Sequence, residues 1–251
     1  MKTRQRWAAA VLAGGLLLGS AACGGKDTGS KDSGSDAADS SAAEDFAGQS
    51  GKEIKDAVVA DMKELDSLAM SAEVNANGQA IQLDLAMDTD GQCVGTVGMQ
   101  GGTAQIMSVG GDLYMKGDED FWKATAGDQA DAVIALIGDR WAKQAGTGGF
   151  GSFCDLDGLL SSFEDDGSDS EDPTVGDVED LDGQQAVKLS SKDSSGDDVA
   201  VWVSAEDPHY ILKLETSSAS DPGTVTLSDF NEPVDVEAPA EDEYVDLSSL
   251  S

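Results

Sequence analysis

The sequence predicts an α+β fold: a single curved antiparallel sheet, a half-barrel of roughly 9–11 strands, with helices packed on its concave face. Three observations predict it. An amphipathic helical segment opens the ordered part of the chain. Two runs of short period-two segments follow, each punctuated by Gly- or Asp-based turns. Between those runs lies a block with helical spacing instead.

The opening helix begins at Ser50-Gly51-Lys52-Glu53, which fits a capping box. Ile54, Val58, Met62, Leu65 and Ala69 then share one helical face. The period changes to two after Val74. Ile81, Leu83, Leu85 and Met87 alternate with Gln82, Asp84 and Ala86 beyond the turn Asn77-Gly78. Asn-Gly between alternating segments is the strongest short-range hairpin signal. Turns at Asp90-Gly91, Gly101-Gly102 and Gly110-Gly111 separate further strands around Val94–Met99, Thr103–Val109 and Leu113–Lys116. The first meander therefore has about five strands.

In the middle block, Ala130, Val133, Ile134 and Ile137 recur at helical spacing before the terminator Gly138. A Gly146–Gly151 stretch leads to a second short helix, begun by Asp155 and carrying Leu156, Leu159, Leu160 and Phe163. After the acidic loop Glu164–Asp172 come strands at about 174–180, 184–191, 198–204, 209–216 and 223–230. Asp182-Gly183, Ser195-Gly196, Asp207-Pro208 and Asp221-Pro222-Gly223 supply their turns.

The chain around this domain divides cleanly. Residues 1–22 carry Lys2, Arg4 and Arg6, then an uncharged run from Trp7 to Ala22 that ends in Ser20-Ala21-Ala22. This is the layout of a cleavable signal peptide, with an apolar core short for a membrane span. Cys23 stands at the cut. Residues 23–50 are the lipidated cysteine followed by a Gly/Ser/Asp-rich acidic tether with almost no large apolar group besides Phe46. Such a composition predicts disorder, with a root-mean-square span of roughly 30 Å. The half-barrel domain takes residues 51–237 and a C-terminal tail takes 238–251.

Charge narrows the function. Loss of the leader removes three of 15 cations and none of 49 acids, so the mature chain carries −37. That surface repels nucleic-acid phosphates and anionic headgroups, and it keeps an exported protein solvated. Cys93 and Cys154, an even pair in an oxidising compartment, are expected to form a disulfide. The loop they close is worth about 4 kcal/mol in the chain-entropy model.

No enzyme is visible. The sole histidine, His209, sits between Pro208 and Tyr210 at a turn and reads as an exposed turn residue, and no G-x-S-x-G elbow, P-loop or dinucleotide fingerprint occurs. Asp155-Leu156-Asp157-Gly158 with Glu164 partly fits a calcium loop, but Phe153 would fill the first ligand position. Val178 and Leu189 spoil the match around Asp180, Asp182 and Gly183 in the same way. We therefore expect no catalytic residue, no metal site and no cofactor.

Cys23 at the cut resembles the lipobox of bacterial lipoproteins, though the usual Leu three places before it is Ser20 here. Within the domain, Gly110-Gly111-Asp112-Leu113-Tyr114-Met115-Lys116-Gly117-Asp118 followed by Phe121-Trp122 resembles a strand leading into a helix in the lipid-transporting lipoproteins of actinobacterial envelopes, the LppX/LprG group. Val199–Val203 followed by Pro208-His209-Tyr210-Ile211-Leu212-Lys213-Leu214-Glu215 is similar to their late hairpin. That group is related in fold to the LolA/LolB carriers, and the resemblance covers residues 50–235. It implies a palmitate-bearing, membrane-anchored lipoprotein, monomeric, on the extracytoplasmic face of the cell membrane. It also implies a half-barrel that encloses an apolar cavity for acyl chains and no catalytic role.

Met87, Met99, Met107 and Met115 recur on neighbouring strands, and methionine adapts to irregular apolar shapes. The expected cavity residues are Leu83, Leu85, Met107, Met115, Val133 and Ile137, with the opening at the Gly146–Gly151 hinge. Acidic residues at the mouth would favour a neutral lipid or glycolipid. Two functions follow: a lipoprotein that binds or transfers an amphiphile, or an accessory or sensory lipoprotein with a filled core that works through protein contact. An unfilled apolar cavity under the helices marks the first, and a packed interior with an exposed apolar patch marks the second.

Overall fold

The computed structural model describes residues 36–248 apart from 77, 147–148, 166–171, 194 and 219–221. The signal peptide, Cys23 and the tether up to residue 35 lie outside the described residues, as does Asn77.

Ordered structure begins earlier than the composition suggests. Helix α1, Asp36–Ala47, occupies the end of the expected tether and buries Ala43 and Phe46. Helix α2, Gly51–Met62, starts with the capping box. The Ser50 hydroxyl accepts the Glu53 backbone N–H, and the Glu53 carboxylate accepts the Ser50 backbone N–H at 3.0 Å. The Ser50 hydroxyl also donates to that carboxylate at 2.7 Å, and this bond first, then the one from the Ser50 N–H, hold the Glu53 carboxyl below its usual pKa. The α2 helix buries Ile54, Val58 and Met62, then stops at Lys63. Leu65 and Ala69 are therefore not on its face. Strand β1 begins at Ser67 and runs to Ala76, and Leu68, Met70 and Ala72 are buried in alternation. The sequence there satisfies both periods, and sheet pairing decides between them.

Strands β2 (Gln79–Asp88), β3 (Cys93–Met99), β4 (Gly102–Val109) and β5 (Asp112–Gly117) complete the meander. Helix α3, Glu119–Ala126, is capped by Asp118, whose carboxylate accepts the Phe121 N–H at 2.7 Å. A turn of 3-10 helix leads into α4, Ala130–Ile137, which Gly138 terminates with its N–H on the Ile134 carbonyl. Strand β6, Trp141–Ala145, then joins the sheet beside β5. Helix α5, Leu156–Asp165, follows, with Asp155 accepting the Gly158 N–H at 2.9 Å. Strands β7 (Thr174–Leu181), β8 (Gln184–Lys192), β9 (Asp198–Ser204), β10 (Ile211–Thr216) and β11 (Gly223–Ser228) form the second meander. The C-terminal segment contributes β12, Tyr244–Asp246, where the sequence suggests only a tail.

The sheet has twelve strands in the order β12-β6-β5-β4-β3-β2-β1-β11-β10-β9-β8-β7. The two meanders meet where β1 pairs with β11, antiparallel. This architecture corrects the expected half-barrel. The sheet is mixed, because β12 runs parallel to β6. It is also open, ending at β7 and β12, and is not curled into a trough. Period-two alternation reports which face a strand buries. Curvature depends on twist and bulges between strands, which alternation does not encode.

One face of the sheet carries the helices and a single large core. Leu227, Met70, Leu85, Ile106, Met115 and Ala142 form a buried row across it, set by the strand register. Phe46, Ile54, Phe121, Ile137 and Leu156 bring the five helices into the same core. The close approach of α3 to the sheet needs glycine at two places. A Cβ on Gly102 would lie 2.0 Å from the Phe121 backbone nitrogen, and one on Gly117 would lie 2.5 Å from the Phe121 ring. The Cys93–Cys154 disulfide, with Cα atoms 5.5 Å apart, ties the start of β3 to the segment preceding α5.

Candidate functional site

The expected cavity residues do not gather around one space. Leu85, Met115 and Ile137 are buried in the packed core, with Leu83 at its margin at 8% exposure. Val133 lies on α4 and packs against that core while half-buried. Met107 departs from the set. It is the direct partner of Val94 and Tyr114, one residue out of phase with the core-facing Ile106, so it lies on the opposite face of the sheet. Met87, Met99 and Met115 stay in phase with the core, through pairing with Cys93, Ile81 and Ile106. Residues 147–148 of the expected Gly146–Gly151 hinge lie outside the described residues, and the ends of the stretch are packed. Gly146 donates its N–H to the Gly111 carbonyl at 3.0 Å, and Gly151 is buried against the Gly146 backbone.

The less covered part of the core face lies at the junction of the meanders. Val201, Leu214 and Val225 on β9, β10 and β11 are direct cross-strand neighbours and only half-buried. Val225 continues the row to Ala72 and Leu83. One step along, Val74, Ile81 and Met99 form a second half-buried apolar row. On the helices, Ile134, Leu159, Leu160 and Phe163 are apolar and half-buried as well. A depression of about 360 Å³ opens between the tips of the β1–β2 and β10–β11 hairpins, touching Val74, Ile81, Glu73, Gln82, Glu215 and Gly223. Its lining is mostly polar, with Glu73 and Glu215 its acids and Val74 and Ile81 its large apolar residues. A second depression, about 400 Å³, lies at the other end of β1, between Leu68, Ala86 and the Asp229–Val234 segment.

The opposite face is built differently. Trp202 is sandwiched between the ammonium groups of Lys188 and Lys213, 4.7 and 4.8 Å from its ring, and its indole N–H is bonded to Glu179. Further along, Lys143 lies against the rings of Tyr114 and Tyr244 and pairs with Asp112 at 2.8 Å. The hydrogen bond to Asp112 raises the Lys143 pKa, while burial raises that of Tyr114. Lys143, Lys188 and Lys213 are thus all engaged with aromatic rings, and Lys143 with a carboxylate as well.

His209 is not an exposed turn residue. It is half-buried, its ring stacks on Phe46 at 3.7 Å, and its backbone N–H donates to Asp61 at 2.7 Å. Neither contact is visible in sequence, because Asp61 and Phe46 lie on α2 and α1, far from the β9–β10 connection. No described serine or cysteine is placed on His209 as a nucleophile by any of its hydrogen bonds, since its ring contact runs to the Ser204 carbonyl. Among the described residues, no helix is long and apolar enough to cross a membrane.

No family model and no curated protein sequence matches the chain. Solved structures do. LprF from Mycobacterium bovis is 16% identical, with 76% of this chain and 97% of that chain covered and a TM-score of 0.54. The lipoprotein LppX from Mycobacterium tuberculosis is 14% identical, with 74% and 97% covered and a TM-score of 0.47. The chain shares its fold with LprF, in line with its strand-and-turn resemblance to the LppX/LprG group.

Proposed function

We propose that this protein is an exported, lipid-anchored, non-enzymatic lipoprotein that binds or transfers a lipid or similar amphiphile at the extracytoplasmic face of the cell membrane. One observation carries the binding reading: the half-covered apolar rows Val201–Leu214–Val225 and Val74–Ile81–Met99 on the helix-bearing face, beside the 360 Å³ depression. That volume lies within the roughly 300–1,000 Å³ of small-molecule sites. Acyl chains would lie along the apolar rows, not inside the packed core. The chain's formal charge of −34, with Glu73 and Glu215 at the same end of the sheet on its opposite face, disfavours an anionic headgroup, so the ligand is a neutral lipid or glycolipid. The anchor rests on Cys23 and its leader. Two acyl chains at about 0.8 kcal/mol per buried CH₂ hold a protein far better than one.

A second reading is favoured by the packed interior. Leu85, Ile106 and Ile137 are fully buried, so an accessory lipoprotein could use the same apolar rows to contact another envelope protein. One experiment separates the two. Native mass spectrometry of gently extracted protein should show one bound neutral lipid, and Val225→Asp should remove it while the chain stays folded. Protein that carries no lipid, and whose melting temperature no envelope lipid raises, would favour the accessory role. Cys23→Ala should move the protein from the membrane to the soluble fraction; equal partitioning of both forms would discard the anchor.

A further inference from the structure

We propose that Asp61, Asp207 and His209 form a binding site for one divalent first-row transition cation, a mixed nitrogen and oxygen site that clips α2 to the β9–β10 connection. A carboxylate oxygen of Asp61, one of Asp207 and a ring nitrogen of His209 all lie within 4.8 Å of one another. Ligand atoms about 2.1 Å from a tetrahedral zinc ion lie about 3.4 Å apart. A 4.8 Å separation has to close by about 1.4 Å, and Asp207, which is exposed, is the ligand placed to move.

Two features outside the ligand set prepare the imidazole. Its Nδ1 faces the Ser204 main-chain carbonyl at 3.1 Å. A carbonyl only accepts, so Nδ1 carries the hydrogen and the neutral ring keeps its lone pair on Nε2. A ligating histidine typically donates its other N–H to a carbonyl or carboxylate in this way. The ring plane is also fixed, stacked on Phe46 with only 7° between planes. Asp61 is oriented too, because its Oδ2 accepts the His209 backbone N–H at 2.7 Å and its other oxygen is left for an ion. An imidazole beside two carboxylates suits zinc or manganese better than magnesium or calcium, which prefer oxygen alone. The sequence shows no such cluster because Asp61 and His209 stand 148 positions apart.

The test is calorimetric titration of the extracted full-length protein with Zn²⁺, repeated with excess Mg²⁺ present. One Zn²⁺ per chain, undiminished by Mg²⁺, is expected. Asp207→Asn removes an exposed ligand, and His209→Phe keeps the stack on Phe46 while removing both ring nitrogens. Each should weaken binding about tenfold or more, the scale on which lost metal-site partners register. Binding of many ions per chain, displacement by Mg²⁺, wild-type affinity in either variant, or no uptake at micromolar Zn²⁺ would each overturn the proposal.

Discussion

The two meanders bury their core faces to different depths. In the first, Val97, Ala104, Ile106 and Leu113 are wholly inaccessible, and α3 lies so close that Gly102 and Gly117 leave no room for a side chain. In the second, Val187 and Val203 are wholly inaccessible too, but Val175, Val178, Val201, Leu214 and Val225 alternate correctly and remain half-buried. The first meander is also tied covalently to the segment before α5. The second is covered at its outer end by α1, through contacts with β7 and β8. The half-covered apolar surface therefore gathers on β9–β11 and at the far ends of β1–β3, where Val74, Ile81 and Met99 lie, and the rest of the core face is packed. Burial that stabilises is not available for binding, and the molecule divides the two tasks between these regions.

Phe121→Ala should break this contrast most strongly. A fully buried phenylalanine typically costs about 3–5 kcal/mol on truncation, so a large fall in denaturation midpoint is expected. Val225→Ala in the second half, which loses two half-covered methyl groups, should cost only about 1 kcal/mol. Similar losses at both positions would remove the distinction between the halves. Disulfide removal comes next. Replacing Cys93 and Cys154 with Ser should cost about 4 kcal/mol if the 61-residue separation acts through chain entropy. Amide exchange should then rise first in β3, α3 and α5, and uniform deprotection across both meanders would contradict the assignment.

The smallest effect concerns α2, which enters the core between the halves. Ser50→Ala should cost about 1 kcal/mol, as for other N-caps. Its pH signature has a definite sign. The Glu53 carboxyl is held below its usual pKa by Ser50. The part of the cap that rests on the ionised Glu53 carboxylate is therefore complete above the unfolded-state value and disappears as pH falls through the lowered folded value, while the bond from the Glu53 N–H to the Ser50 hydroxyl persists. The stability gap between wild type and Ser50→Ala should narrow in acid; a constant difference down through that range would exclude the ionised capping box.

Much of this fold is legible in the residues. The capping box, the terminator Gly138, the Asp155 start of α5 and most strand limits of the second meander follow from local chemistry that tertiary packing leaves alone. Three features were hidden for physical reasons. The segment from Leu65 to Ala69 satisfies helical and strand periods together, so only pairing with β2 and β11 fixes it as β1. Strand β12 is three residues long and depends on β6 for its existence. Helix α1 has little apolar content and is held through Ala43 and Phe46, a docking that composition cannot report. The candidate site divides similarly. Leu83 and its neighbours are identifiable as core-facing, but the half-covered rows emerge only from cross-strand register. Met107 shows the cost of one residue of phase.

The open ends of the sheet give the chain's acidity a local meaning. Strand β7 is an outer strand, broken in register between Val175 and Val178, and it carries Asp177, Glu179 and Asp180 exposed along its length. A bare strand edge is a template on which another polypeptide can add, and like charges together with a bulge are the usual defence against it. The opposite end finishes in a strand of only three residues. Two copies brought edge to edge would have to align these carboxylates against each other across a ladder. Edge-to-edge pairing is thus resisted at the positions where it would otherwise begin, and neutralising the three acids should raise association between copies.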